Sequence, residues 1–264
     1  MQYYGIELEM VVYYKDYNKM NYMQDIFRKH KFYIKGDGSV HPTQNVKKLW
    51  NNTYACLEIV SSKVTLEKFK KTITNVFNEL LNNKSFRLKI NEGTPNDCDI
   101  RIDFNKTTGT HIHYSNSKCS IKERYATNPN YYSRTITYAT RIITPEINYF
   151  KENTKLLEKI RDTVYDSCKY DTIKKHMYRS YAKKEIVSTD RCSSINVSNA
   201  HRHGTIEFRM CNLLGVPTSE VVNAIFNQLE SINKGIKLAW IEQIRVERLK
   251  LRRLLDLQKS IRVI

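Results

Sequence analysis

Hydrophobic and polar residues alternate along several short stretches of the chain, and this period of two predicts β-strands. The first stretch, QYYGIELEMVVY at residues 2–13, places Ile6 and Leu8 on one side and Glu7 and Glu9 on the other. A strand that buries its apolar side therefore presents two carboxylates together on its opposite side.

Five further segments show strand-like patterns. They are 54–61, 99–104, 110–115, 193–198 and 205–210. We expect the second and third of them to pair with each other. The last two flank NAHRHG, residues 199–204, which predicts a tight hairpin turn. KGDGSV, residues 35–40, predicts a turn that leads into another strand, because its glycines supply backbone freedom.

Apolar residues recur at steps of three and four in other segments, and this period predicts helices. The helical segments are 19–30, 65–82, 154–168 and 219–259. Thr65 is a suitable cap for the second, and the last is expected to be broken near Gly235. Strands first and last, with helices between and after, predict an α+β fold, and no boundary divides residues 1–264 into two domains.

Composition is that of an ordinary globular protein, with 41% hydrophobic and 27% charged residues among 264. The net charge of +17 stands out. It has two readings: a lysine-rich surface, or a polyanionic partner such as a nucleotide, a nucleic acid or an acidic peptide. Because the basic residues are spread along the chain, charge alone locates no binding groove.

The six cysteines are widely spaced and form no CxxC pair, so a zinc ribbon or a thioredoxin-type site is not expected. The first ten residues contain two glutamates and do not resemble a signal peptide. The sequence contains no run of 18 apolar residues, so no membrane span is expected. These features favour reduced thiols in a cytoplasmic protein.

Two pairs of polar residues lie two positions apart within predicted strands, so the members of each pair share a face. Glu7 and Glu9 are separated by about 6–7 Å along a strand and repel each other unless a cation lies between them. Magnesium suits such a place because it prefers hard oxygen ligands. In GTHIHYS, His111 and His113 likewise face one space, which a metal, a phosphate, a substrate or water could fill.

Three further polar residues interrupt apolar strands. Glu58 lies in LEIVS, and Glu207 and Arg209 lie in TIEFR. Taken singly, each feature has an ordinary reading: a strand carboxylate on a solvated face, or a surface ion pair of small energy. The order in which they occur along the chain is more specific than any one of them.

That order is GIELE, KGDGSV, LEIVS, GTHIHYS, DRCSSINV and TIEFR. It resembles the carboxylate–amine ligase superfamily, which includes glutamine synthetase and glutamate–cysteine ligase. It is most similar to the amidoligases of bacteria and their viruses. The motifs run from residue 5 to 209, whereas the segment of about 120–185 and the C-terminal helices match nothing in that pattern.

The resemblance implies a glutamine-synthetase-like curved antiparallel sheet, a half-barrel, backed by helices. Residues 1–264 would form one amidoligase-like catalytic domain, with a helical insertion at about 120–185 and C-terminal helices at about 219–260. In that family, ATP phosphorylates a substrate carboxylate, and an amine attacks the acyl phosphate to give an amide. Two or three Mg²⁺ or Mn²⁺ ions lie among the strand carboxylates.

The resemblance also assigns roles to individual residues. The implied metal ligands are Glu7, Glu9, Glu58, His111 and Glu207. The implied nucleotide contacts are Arg191, His113 and Ser115. Arg209 would steady the substrate carboxylate or the acyl phosphate, and its planar fork suits either group. Asp37 and Ser39 would lie in a turn near the substrate.

The implied partners are a carboxylate, such as glutamate or an acidic peptide, and an amine of open identity. Two rival hypotheses remain. A metal-dependent nuclease or nucleic-acid-binding protein would bind DNA or RNA in a salt-sensitive manner without ATP. A non-catalytic protein that keeps the ligase fold would bind neither metal nor nucleotide, although acids retained at every motif favour catalysis.

The role of the basic C-terminal helix stays open at this point. The basic C-terminal helix could be an oligomer contact, an anion-binding surface or a packed helix with a solvated basic face. No membrane association is expected, and the protein is predicted to act in the cytoplasm, or in the host cytoplasm if it is viral.

Overall fold

The structure, a computed structural model, describes residues 2–115, 154–174, 194–196 and 205–261. The strands are β1 (Tyr3–Tyr14), β2 (Phe32–Gly36), β3 (Tyr54–Ser61), β4 (Val64–Thr65), β5 (Leu88–Ile90), β6 (Ile100–Asp103), β7 (Thr110–Ser115), β8 (Ile195–Asn196) and β9 (Ile206–Phe208). The helices are α1 (Tyr17–Lys29), α2 (Gln44–Leu49), α3 (Leu66–Leu81), α4 (Thr154–Ser167) and α5 (Val221–Ile261), and a 3₁₀ turn spans Thr218–Glu220.

All nine described strands belong to one open sheet, with β1 at its centre. Along the main path the order is β2-β3-β1-β7-β9-β8. On one side β1 pairs with β3; on the other its first half pairs with β7 and its second half with β6. Every described pair is antiparallel except β5–β6. The predicted antiparallel sheet backed by helices is therefore confirmed, and the curved half-barrel remains a prediction.

The two faces of β1 have different environments, as the alternating sequence predicts. Ile6, Leu8 and Met10 are fully buried in the main core, to which α1, α3, α4 and α5 all contribute side chains. Burying each such side chain stabilises the fold by about 1.5–3 kcal/mol. These four helices thus occupy one face of the sheet, and the opposite face carries Glu7 and Glu9.

A smaller cluster covers one end of that opposite face. It consists of Val11, Tyr13, Val40, Trp50 and Cys98. Val11 and Tyr13 follow Glu7 and Glu9 at the same two-residue spacing. The apolar cluster therefore covers the polar face of the sheet beyond Glu9, and the two carboxylates lie beside this cluster.

Two predictions about strands are wrong. The strand near KGDGSV precedes the turn, because Phe32–Gly36 pairs with β3 and the turn follows it. Asp37 organises this turn by accepting hydrogen bonds from Ser39 N at 2.9 Å and Ser39 Oγ at 2.6 Å. The segments 99–104 and 110–115 do not pair with each other, since β6 and β7 each pair with β1 instead.

The predicted break near Gly235 is also wrong, because α5 is continuous from Val221 to Ile261. Glycine serves close packing here: a Cβ at Gly235 would lie 3.1 Å from Ile160 Cα, Cγ2 and O on α4. Within the predicted insertion of about 120–185, the described part shows α4 at Thr154–Ser167. The rest of that insertion and the predicted hairpin turn 199–204 lie outside the described residues.

Helix α5 has 41 residues and a length of about 60 Å. Its first half packs on the core, where residues such as Leu229, Ile232 and Ala239 are completely buried. From Ile241 to Arg253, every described side chain is exposed. Among the described residues, no helix is both long enough and apolar enough to cross a bilayer.

Candidate metal centre

Three neighbouring strands bring four of the five predicted metal ligands together, on the face of the sheet opposite α1, α3, α4 and α5. Glu7 on β1 lies directly across from His111 on β7. His113, two residues further along β7, lies across from Glu207 on β9. Because alternate side chains share a face, these residues project from adjacent strands toward one point.

His111 lies at that point, with its side chain only 1% exposed. Its Nδ1 atom is 3.3 Å from Glu7 Oε1, 3.2 Å from Glu207 Oε1 and 3.8 Å from Glu9 Oε1. Ligand atoms of Glu7, His111 and Glu207 all lie within 4.8 Å of one another. One imidazole nitrogen and two carboxylates this close are a donor set that suits a divalent cation.

The second ring nitrogen of His111 gives an independent reason to place a cation here. Nε2 is buried and has no hydrogen-bond partner within the described part of the chain. A buried polar atom without a partner costs about 1–3 kcal/mol. A metal ion or a bound ligand would remove that cost, so the residues present fit a divalent cation.

Gly109 makes this arrangement sterically feasible. Its carbonyl accepts a hydrogen bond from Glu9 N at 2.9 Å, so its Cα lies directly beside the cluster. A Cβ at this position would clash with His111 Nε2 and lie 2.8 Å from both His111 Cδ2 and Glu9 Oε2. The glycine that opens GTHIHYS is therefore required for space beside the imidazole.

Glu207 is held in place by two neighbours, and only 2% of its side chain is exposed. Arg209 donates from an η-nitrogen to Glu207 Oε1 at 2.7 Å, and Asn196 Nδ2 donates to Glu207 Oε2 at 2.8 Å. Sequence reasoning missed Asn196, although an asparagine between the apolar residues Ile195 and Val197 was a signal. These contacts fix the orientation of the carboxylate toward His111.

The residues predicted to contact a nucleotide lie in different places. His113 belongs to the cluster, with Nε2 3.4 Å from Glu7 Oε2 and Nδ1 3.3 Å from Thr205 Oγ1. Ser115 is fully buried at the end of β7, across from Tyr3. Arg191 lies outside the described residues. The nucleotide contacts of all three remain predictions.

Glu58 on β3 lies directly across from Glu9 on β1, but its carboxylate has a different partner. Lys35 Nζ on β2 is 2.8 Å from Glu58 Oε1, and sequence reasoning missed this lysine. Asp37 follows at the end of β2, where its backbone N–H donates to Cys56 O at 3.0 Å. Burial raises the pKa of Glu58, and the nearby charges of Glu7 and Asp37 add to the effect. Its role as a metal ligand stays a prediction.

Contacts within the cluster shift the pKa values of its own side chains. Burial favours neutral forms, but hydrogen bonds from His111 and His113 outweigh it and lower the pKa of Glu7. Burial is likewise outweighed for Glu207, whose pKa falls to about 2 through its contact with His111. Burial alone would lower the pKa of His111, yet hydrogen bonds to Glu207 and Glu7 raise it to about 9. Burial raises the pKa of Glu9.

We expect the stability of the metal-free protein to fall as pH rises from 6.5 to 9. Because the folded pKa of His111 is raised from 6.5 to about 9, its contribution is complete below pH 6.5 and is lost as pH passes 9. The loss is on the order of 3 kcal/mol. Thermal unfolding in EDTA across this range measures it, and a cation that replaces the proton should reduce the loss.

A matched control is His30, which also contacts a glutamate but is only partly buried. His30 Nε2 is 2.8 Å from Glu79 Oε2. The variant His30→Gln should keep the decline between pH 6.5 and 9, whereas His111→Gln should flatten it. An equal decline in wild type and His111→Gln would contradict the assignment of the proton to His111.

Replacing Lys35 by methionine is expected to tighten Mn²⁺ binding by about three- to tenfold. The ammonium group occupies one oxygen of Glu58 and adds a positive charge beside the cluster, so its removal favours a second cation. Calorimetric titration with Mn²⁺ measures the change. Lys68→Met, at an exposed position of α3, is the control. Equal Mn²⁺ affinities for wild type, Lys35→Met and Lys68→Met would show that Lys35 does not compete with the metal.

Searches with known protein families and curated proteins find no family model and no curated protein that matches this chain. The cluster itself is therefore the structural feature that bears on function. Its chemistry is that of paired carboxylates, an imidazole and a guanidinium group on the polar face of the sheet. Such a group can bind a divalent cation and, through it, oxygen atoms of a phosphate or carboxylate.

Proposed function

We propose that the protein is an ATP- and Mg²⁺-dependent carboxylate–amine ligase. In this reaction a carboxylate oxygen attacks the terminal phosphorus of ATP, and ADP leaves. An amine then attacks the acyl carbon, loses a proton and expels phosphate to form the amide. The observation that carries the proposal is the buried group of Glu7, His111 and Glu207, with Arg209 beside it.

These three side chains would hold the cation, with Glu9 next to them. A bound Mg²⁺ or Mn²⁺ supplies positive charge that allows a carboxylate and a triphosphate, both anions, to approach each other. Glu207 fits this role because Asn196 and Arg209 hold its carboxylate in one orientation. Glu7 fits because its lowered pKa keeps it ionised at neutral pH.

Arg209 supports the same reaction at the edge of the cluster. It follows Glu207 by two residues, on the same face of the last strand, and 18% of its side chain is exposed. A guanidinium group binds carboxylate and phosphoryl oxygens through two parallel N–H groups. We assign it to the substrate carboxylate and to the charge that develops on the transferred phosphoryl group.

The described cysteines support a route without a thiol nucleophile. Burial raises the pKa of Cys98 to about 12, and burial also raises the pKa values of Cys56, Cys168 and Cys211. A thiol must lose its proton to act as a nucleophile. Phosphoryl transfer between oxygen atoms instead requires positioning and charge compensation, which the cluster offers.

Hydroxylamine trapping tests the proposal without knowledge of the natural amine. Hydroxylamine converts an acyl phosphate to a hydroxamate, which gives a coloured iron(III) complex. The protein is incubated with ATP, Mg²⁺, hydroxylamine and a panel of carboxylates that includes glutamate, acidic peptides and peptidoglycan stem peptides. We expect hydroxamate and ADP in equal amounts with at least one acid, and none in EDTA or in Glu207→Gln.

The same preparation distinguishes the rival nuclease function. Labelled DNA and RNA are incubated with Mg²⁺ or Mn²⁺ in the absence of ATP. Cleavage that Glu207→Gln abolishes, together with no MgATP binding by calorimetry, would overturn the ligase proposal. The high positive charge of +17 is the property that makes this comparison necessary.

A further inference from the structure

The distal segment of α5, residues 241–253, differs from the rest of the helix. The first half of α5 packs on the core and against α4, with Ile232 and Ile236 buried. In the distal segment every described side chain is exposed, including Ile241 at 54% and Leu251 at 58%. A long exposed helix gains little stability from burial, so its residues suit contact with a partner.

Three arginines of the distal segment form one stripe. Arg245, Arg248 and Arg252 follow each other at steps of three and four, so they lie on one side of the helix. Their Cα atoms rise by about 4.5 and 6 Å along the axis. Lys250 and Arg253 add two more exposed positive charges within the same two turns.

The charge of the distal segment points to the kind of partner. Its five basic residues exceed its two glutamates, and the glutamates fall outside the arginine series. A second copy of this segment would bring like charges together. A phosphate backbone instead offers one negative charge about every 3.4 Å along each strand, and arginine binds phosphate through a planar fork.

The distribution of apolar residues argues against a membrane surface. A helix that lies on a membrane separates its apolar residues from its basic residues. At 100° per residue, Ile241 falls within the arginine stripe and Lys250 falls almost opposite to it. Apolar and basic residues are therefore mixed around the distal segment rather than divided between two faces.

We infer that the distal segment is a nucleic-acid-binding surface that contacts the phosphate backbone through Arg245, Arg248 and Arg252. The surface is separate from the metal centre and independent of the proposed ligase activity. Since its contacts are to phosphates, binding is sensitive to salt and has little dependence on base sequence.

Fluorescence anisotropy with a labelled 25-base-pair duplex in EDTA tests this inference on the full chain. We expect micromolar affinity at about 100 mM salt. The triple variant Arg245→Gln/Arg248→Gln/Arg252→Gln should bind about tenfold or more weakly, and the slope of log K against log salt should fall by about three. Circular dichroism verifies that the helix is retained.

A second triple variant controls for net charge. Lys68→Gln/Lys71→Gln/Lys84→Gln also removes three positive charges, but from exposed positions outside α5. It should retain most of the affinity of the wild type. An equal loss in both triple variants, or no duplex binding at 50 mM salt, would overturn the inference. Binding to anionic phospholipid vesicles alone, or an arginine-dependent dimer without duplex binding, would overturn it as well.

Discussion

Replacing Glu207 by glutamine is expected to weaken Mn²⁺ binding by about 100-fold or more and to abolish hydroxamate formation. Glutamine keeps the shape of the side chain but removes a charge that faces both His111 and Arg209. Loss of one member of a buried charge pair leaves the other uncompensated and costs about 3–5 kcal/mol. The metal-free variant should therefore also unfold at a lower temperature than wild type.

Glu79 provides a matched control for this substitution. It too contacts a basic side chain and a histidine, with Lys29 Nζ at 2.7 Å and His30 Nε2 at 2.8 Å, but it lies at the surface. Glu79→Gln should cost about 1 kcal/mol or less and leave Mn²⁺ binding unchanged. Wild-type Mn²⁺ affinity in Glu207→Gln would refute the metal centre as described.

Substituting alanine for Gly109 should disrupt the cluster without removing any charge. The added methyl group would meet the ring of His111 and the carboxylate of Glu9, and the ring cannot withdraw easily because it is buried. Overpacking of this kind typically costs 1–3 kcal/mol. We expect that loss in chemical unfolding, together with at least about tenfold weaker Mn²⁺ binding, since His111 must rotate away.

Gly38→Ala is the control, because a Cβ at Gly38 would meet no atom within 4 Å. Its free energy of unfolding and its Mn²⁺ affinity should equal those of wild type within error. Should Gly109→Ala also keep full Mn²⁺ affinity, the open space beside His111 Nε2 would have no role in binding a cation.

Alternation allowed the central part of the sheet to be predicted. Strand β3 and strand β7 begin and end at the predicted residues, because their apolar positions must face the core and a shift by one residue would bury charge. The same rule placed Glu7 and Glu9 together on the polar face. The family resemblance led us to expect that Glu7 and Glu9 lie close to His111 and Glu207. The strand register brings these four residues together.

Other features depend on contacts that a single sequence does not encode locally. Alternation shows which face of a strand is buried but not which strand is its neighbour, so the pairing of β6 with β1 was missed. The contact between Lys35 and Glu58 likewise depends on the pairing of β2 with β3. Gly235 was misjudged because local propensity disfavours glycine in helices, whereas close packing against α4 requires it.

The positions of β1 and β9 have a consequence for the order of events during synthesis on the ribosome. Glu7 and Glu207 are roughly 200 positions apart in the chain, yet only β7 separates their strands. A nascent chain can pair β1 with β3, β6 and β7 long before Glu207 is made. Because the proposed cation-binding group is incomplete until then, a cation bound there would not guide those early steps. It would stabilise only the finished sheet, by mass action on the folded state.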